Sequence, residues 1–252
     1  FVEIDPKVRP DFVVIGEPTK MNVYRGHKGR IELKITATGR SAHAAVHYLG
    51  DNAVYKMISI INLIRELDRR MRFGQGSHPV LGHPSIAVTD VVARTNSLNA
   101  VPNQFTIFLD RRITLNEPHD DVINLIKGLI PDYLQNEILV EELFYDEPSY
   151  TGFRFPLEKY FPAWLQEESH PLVQSGLKSI RDLWGEDRPL GTWDFSTNGT
   201  YWAGKAGIPS IGFGPGDEVD AHTPTENVSL DDVVNATEFY AYLPAILRDQ
   251  LG

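Results

Sequence analysis

Between residues 29 and 143 the hydrophobic pattern switches from period two to helical period and back, twice over, and that order leaves few folds open. In residues 29–38, Ile31, Leu33, Ile35 and Ala37 fall on one face and Arg30, Glu32, Lys34, Thr36 and Thr38 on the other. Strict alternation over this length reads as a strand with one buried face. Asp51 or Asn52 can then cap a helix whose apolar residues are Val54, Met57, Ile58, Ile61, Ile64, Leu67 and Met71, ending before Gly74. Strands follow at 86–93 and 104–113. Pro118 suits the first turn of a second helix, striped by Val122, Ile123, Ile126, Leu129 and Ile130, and a strand at 138–143 closes the series. Strand, helix, strand, strand, helix, strand is the split βαβ or ferredoxin-like (βαββαβ) unit, expected here over residues 24–147.

The flanks read differently. Residues 12–15, Phe-Val-Val-Ile, form a continuous apolar run suited to a strand buried on both faces, followed at once by Gly16-Glu17-Pro18-Thr19. After a proline-rich linker over 148–162, Ser169 is expected to cap a helix with Pro171 in its first turn, carrying Leu172, Val173, Leu177, Ile180 and Trp184 and stopped by Gly185. A polar loop at 191–199 and a short helix at 200–205 lead to a second apolar run from Ile208. That run breaks at Gly212 and at Gly214-Pro215-Gly216, then delivers Asp220, His222 and Glu226. Ser229 with Asp232 makes a capping box for a last helix whose Leu230, Val233, Val234, Tyr240, Leu243 and Leu247 are expected to face the core, with a kink or a break at Pro244.

Open α/β sheets place ligands beyond the carboxyl ends of their strands, so Glu17 and His222 are expected at one common edge. An imidazole and a carboxylate converging there suit a divalent cation, zinc above others. The expected architecture is α/β: a catalytic domain over 1–23 and 148–252, interrupted by the ferredoxin-like domain.

Composition narrows the partners. The 252 residues are 42 % apolar, enough for a proper core, and a net charge of −10 argues against nucleic acid or an anionic membrane. No apolar run approaches the ~18 residues of a membrane span, and no basic segment leads into an apolar one at the start, so a cytoplasmic protein is expected. Cysteine is absent, so any metal must be held by nitrogen and oxygen. No Gly-x-Gly-x-x-Gly or Walker-type loop follows a strand, which disfavours a nucleotide-binding reading. The chain opens on Phe1 and runs within a few residues into what reads as a central strand, so a fragment or trimmed product is expected.

Several motifs together carry a resemblance: Gly16-Glu17-Pro18-Thr19, Arg25-Gly26-His27-Lys28-Gly29, Gly39-Arg40-Ser41-Ala42-His43, Val101-Pro102-Asn103, Asp110-Arg111-Arg112, Gly212-Phe213-Gly214-Pro215-Gly216 and Ala221-His222-Thr223-Pro224-Thr225-Glu226. In this order they resemble the acetylornithine deacetylase, succinyl-diaminopimelate desuccinylase, aminoacylase and glutamate carboxypeptidase family of zinc metallohydrolases. The branch linked by name to selenium metabolism is the most similar. The resemblance implies a two-zinc catalytic domain, with cobalt or manganese as alternatives, carrying an inserted lid used for homodimerisation. It implies Glu17 and His222 as metal ligands and His43 as a lid histidine that polarises the scissile carbonyl in the partner subunit's site. Arg112, or Arg111 if the register slips by one, is implied as the anchor of a substrate carboxylate. Asn103, Asn198 and Gly214 are implied as further substrate contacts, and Glu226 is expected either behind the ligands or at the entry of the last helix. The family's first half, whose His-x-Asp motif and Glu-Glu pair supply a bridging ligand, the general base and another ligand, has no counterpart in this resemblance. The implied activity is hydrolysis of an amide bond in an N-acyl amino acid or small peptide, with this chain alone inactive; the alternative is a dimerisation or binding module without catalysis.

Overall fold

The computed structural model describes residues 6–95 and 97–251; the first five positions of the expected catalytic segment lie outside them. In chain order the elements are β1 (Val13–Ile15), β2 (Tyr24–His27), β3 (Gly29–Thr38), α1 (Ala53–Arg72), β4 (Ser85–Arg94), β5 (Gln104–Ile113), α2 (His119–Lys127), β6 (Ile138–Glu142), β7 (Phe144–Tyr145), β8 (Leu157–Glu158), β9 (Tyr160–Phe161), β10 (Trp164–Leu165), α3 (Pro171–Trp184), β11 (Gly191–Trp193), β12 (Ser210–Gly212) and α4 (Leu230–Leu251). The fold is mixed α/β, in two compact units. One comprises the chain up to Gly29 and from Phe161 onward; the other runs from Arg30 to Tyr160.

The Arg30–Tyr160 unit carries a sheet ordered β4-β5-β3-β6, with β9 joined to β3. Strands β4 and β5 pair antiparallel with a bulge between Val88 and Asp90, and β3 pairs antiparallel with β6. One face packs under both helices. Ile31, Leu33 and Ile35 from β3, Ile107 and Leu109 from β5, Met57, Ile60, Ile64 and Leu67 from α1, and Val122 and Ile126 from α2 share this core. Fully burying one such aliphatic side chain contributes about 1.5–3 kcal/mol. Asn52 caps α1 by accepting the Val54 N–H at 2.9 Å. The buried stripe of α1 is Ala53, Met57, Ile60, Ile64, Leu67 and Met71; Ile58 is half exposed, because a residue one step from Met57 is turned away by the helical period.

The other unit holds a sheet ordered β1-β12-β2-β10, with β11 also on β2. Its central feature is parallel pairing of β1 with β12, Val13 opposite Ser210 and Ile15 opposite Gly212. Helices α3 and α4 cover one face through Leu172, Val173, Ile180, Phe239 and Leu243, which meet Ile211 and Phe213; the Phe213 and Phe239 rings stack at 3.6 Å. Ile15, Trp164 and Trp193 form a smaller cluster. A Cβ on Gly212 would fall inside the Trp193 ring, so only glycine fits there.

Three local expectations change. His170, not Ser169, caps α3, its Nδ1 accepting the Leu172 N–H at 3.1 Å; a ring nitrogen two residues upstream does what a serine hydroxyl would. The 148–162 stretch is not a plain linker, since β8 returns to pair with β7. In α4 the buried residues are Ala236, Phe239, Leu243, Ile246 and Leu247, whereas Leu230 and Val234 are exposed, because the helix buries no side chain before Ala236. The helix continues through Pro244 without a break.

Candidate functional site

Parallel pairing fixes where Glu17 goes. The Phe213 N–H donates to the Ile15 carbonyl at 3.0 Å, so the loops after β1 and β12 leave the same end of the sheet. The Glu17 loop is fastened to the second of these. Thr19 Oγ1 accepts the Gly214 N–H at 3.0 Å and donates to the Gly214 carbonyl at 3.1 Å, and the Met21 N–H reaches that carbonyl at 3.1 Å. Trp193 Nε1 donates to the Pro18 carbonyl at 2.9 Å. A Cβ at Gly214 would sit 2.5 Å from the Glu17 carbonyl oxygen. With both of its backbone groups taken by Thr19 and Met21, Gly214 holds the Glu17 loop in place and has no polar group left over for the substrate contact expected of it.

Eight residues beyond Gly214 comes His222, exposed and in the left-handed region at φ 64°. The only other described non-glycine residues at positive φ are Lys20 and Met21, in the loop after Glu17. Such backbone costs free energy and clusters at functional sites. The Glu226 carboxylate accepts the His222 N–H at 2.9 Å and so braces the histidine from behind. Among the described residues no group of three or more His, Asp or Glu side chains converges in a metal-binding arrangement. Nitrogen and oxygen donors suit zinc in kind, but Glu17 and His222 fall short of the three protein ligands a catalytic zinc site needs. A cavity of about 400 Å³ opens nearby, lined by Lys20, Arg188, Asp217, Asp220, Ser229 and Asp232 among others, and neither Glu17 nor His222 lines it. Tyr24 donates to Glu218 at 3.1 Å; burial, then the Glu218 charge, pushes the Tyr24 hydroxyl up to about 12. Asn198 is exposed, and its carbonyl accepts the Tyr201 N–H at 3.1 Å as the chain enters a π-helical turn over Thr200–Lys205.

In the Arg30–Tyr160 unit, His43 caps a short 3-10 helix. Its Nδ1 accepts the Ala45 N–H at 3.1 Å, so the neutral ring carries its proton on Nε2, where it can donate to an incoming oxygen. The loop is held by the Asn99 carbonyl, which accepts the Ala44 N–H at 2.8 Å, and by a bridge between His43 and Ala100. Asn103 is exposed, and its carbonyl accepts the Gly39 N–H at 2.9 Å.

The two arginines separate cleanly. Arg111 is wholly buried on the helix face, ion-paired with Glu117, and Nη1 donates to the Ser85 carbonyl at 3.3 Å. Burial lowers its pKa and raises that of Glu117, while their mutual attraction opposes both shifts. It is structural. Arg112 lies on the open face, one quarter exposed, with Nε 2.6 Å from Asp110 Oδ1 and Nη2 3.0 Å from Oδ2. Asp110 and Thr19 were not singled out from the sequence. The signal for Asp110 was an acid and an arginine two apart on the polar face of a strand; that for Thr19 was a hydroxyl two residues beyond a candidate ligand.

Residues 25–137 match the family described as the peptidase dimerisation domain of M20 peptidases. The chain therefore contains an M20 peptidase dimerisation domain. It is 37 % identical over 237 residues to YgeY of Escherichia coli, covering 94 % of this chain and 58 % of that protein. It is 27 % identical over 226 residues to an acetylornithine deacetylase of Vibrio atlanticus, covering 88 % of this chain and 54 % of that one. The chain thus spans a little over half the length of these curated relatives. An M20 family metallo-carboxypeptidase of Sulfolobus solfataricus, Sso-CP2, shares the fold with a TM-score of 0.68 at 16 % identity, over 98 % of this chain and 66 % of that one. His43, Asn103 and Arg112 fall within the M20 dimerisation-domain match, and Glu17, Asn198, Gly214 and His222 outside it.

Proposed function

We propose that this chain supplies the dimerisation domain and part of the catalytic domain of a metal-dependent hydrolase that cleaves amide bonds in N-acyl amino acids or small peptides. In this reading Glu17 and His222 each give one ligand to a zinc centre, Arg112 pairs with the substrate carboxylate, and the Nε2–H of His43 donates to the scissile carbonyl oxygen of the partner subunit's substrate. A fixed donor aimed at the developing oxyanion is worth several kcal/mol, about 3–4 in the best-measured cases. Asn103 and Asn198 are further substrate contacts. Two ligands do not hold a water-activating centre, so the chain alone is expected to show no turnover.

The reading is carried by one observation, the parallel β1–β12 pair that sends Glu17 and the His222 loop off the same end of the sheet. Homodimerisation is supported by β4, a ten-residue edge strand with Val91 52 % exposed, and by α1, whose Tyr55 and Ile58 face solvent. An uncovered strand edge beside apolar side chains is a surface that natural proteins protect or pair. Among the described residues no helix is long and apolar enough to cross a membrane; a cytoplasmic setting is part of this proposal.

The test is a screen of the complete protein, with metal analysis, against N-acetyl amino acids, dipeptides and their carboxamides. Turnover confined to substrates with a free carboxylate is expected. Full metal binding without turnover of any of them would favour the non-catalytic dimerisation module.

A further inference from the structure

Asp110 takes one particular edge of the Arg112 guanidinium. A guanidinium has five N–H groups, and two pairs of them can each face a carboxylate in parallel: a side pair from Nε and one Nη, and an end pair from the two Nη atoms. The contacts at 2.6 and 3.0 Å use Nε and Nη2, the side pair. Nη1 and the second hydrogen of Nη2 have no hydrogen-bond partner among the described residues, so the end pair is left open.

Asp110 is itself held from the opposite side. Its Oδ2 lies 3.9 Å from Arg30 Nε, Arg30 is paired with Glu32, and Glu32 Oε2 accepts from Lys159 Nζ at 2.7 Å. The contacts form a row across the open face of β5 and β3, with Arg112 at one end. None of the five side chains is more than about a third exposed, so water screens the row less than it would a fully solvated pair.

We infer that Asp110 is a positioning residue, holding the side edge of Arg112 so that its end edge is presented to one incoming carboxylate. The inference rests on the proposed function and narrows it to substrates bearing a single carboxylate at this position. Without Asp110, Arg112 samples several rotamers, and substrate binding has to order it. Ordering one rotamer-rich side chain weakens binding by up to about tenfold. The chemical step is unaffected, because the carboxylate is bound equally in the ground and transition states.

The experiment is a double-mutant cycle in the complete protein with an N-acetyl amino acid and its carboxamide as substrates. Asp110→Asn and Asp110→Ser are run together, with melting curves, so that a folded variant carries the comparison. The expected result is KM raised about tenfold with kcat within about twofold for the carboxylate substrate, no change for the carboxamide, and no additional loss when Asp110→Asn is added to Arg112→Ala. An unchanged KM, an equal rise with the carboxamide, or effects of Asp110→Asn and Arg112→Ala that multiply would each overturn the inference. Should the wild type turn over neither substrate, the proposed reaction is at fault, and the same cycle read by calorimetric binding of the N-acetyl amino acid decides the role of Asp110 on its own.

Discussion

The two faces of the dimerisation-domain sheet treat neighbouring arginines in opposite ways. On the helix face Arg111 has no exposed surface and is matched inside the core by Glu117, whose other oxygen accepts the Thr114 N–H at 3.1 Å. On the open face Arg112 keeps part of its guanidinium unpaired, among side chains that form a row of charges and not a core. The same residue type is thus a fold element on one side of β5 and a candidate recognition group on the other. Desolvation makes the difference: a charge removed from water must be matched completely, whereas one at a half-open surface can keep donors in reserve.

Removing a buried partner is the sharpest way to break this contrast. Glu117→Ala strands Arg111 in the core and is expected to destabilise the domain by about 3–5 kcal/mol. The corresponding change on the open face, Asp110→Ala, is expected to cost less than about 1 kcal/mol, as for other partly exposed pairs. Urea unfolding of both variants measures the difference, and equal losses would erase the distinction between the faces.

A smaller effect comes from His119, where α2 begins. Its Nε2 lies 2.8 Å from Glu142 and its Nδ1 3.1 Å from Asp120. Burial works against the charged ring, but hydrogen bonds and charge from Glu142 and Asp120 outweigh it, and the pKa is raised. With the folded value above the unfolded one, the stabilisation is complete below the unfolded pKa of about 6.5 and is lost as pH rises through the folded pKa. Melting temperatures of wild type and His119→Gln should therefore differ most at mildly acidic pH and converge above that range. A difference that grows with pH would contradict the sign.

The alternating and helical periods of residues 29–143 give the order of elements in the dimerisation domain, because each strand buries one face and each helix one stripe. Alternation shows that Arg111 and Arg112 take opposite faces but leaves open which is buried; in the structure Arg111 goes inward with Ile107, Leu109 and Ile113, which share its parity in β5. The bracing of Glu17 was not legible. It depends on Thr19 and Trp193 reaching backbone groups at Gly214 and Pro18, contacts between residues far apart in the chain that no local pattern encodes. In α4, apolar residues on several sides blurred the helical stripe, and only packing selected Phe239 and Leu243 over Leu230 and Val234.

The assignment as a whole depends on Glu17 and His222 acting as partners in one metal centre. Zinc content per chain of the complete protein, measured for wild type, Glu17→Ala and His222→Ala alongside turnover of an N-acetyl amino acid, tests this most directly. Each substitution should lower the bound metal and cut the rate by at least about 100-fold, more than the loss of an outer-shell residue causes. Unchanged metal content and rate in either variant would contradict it.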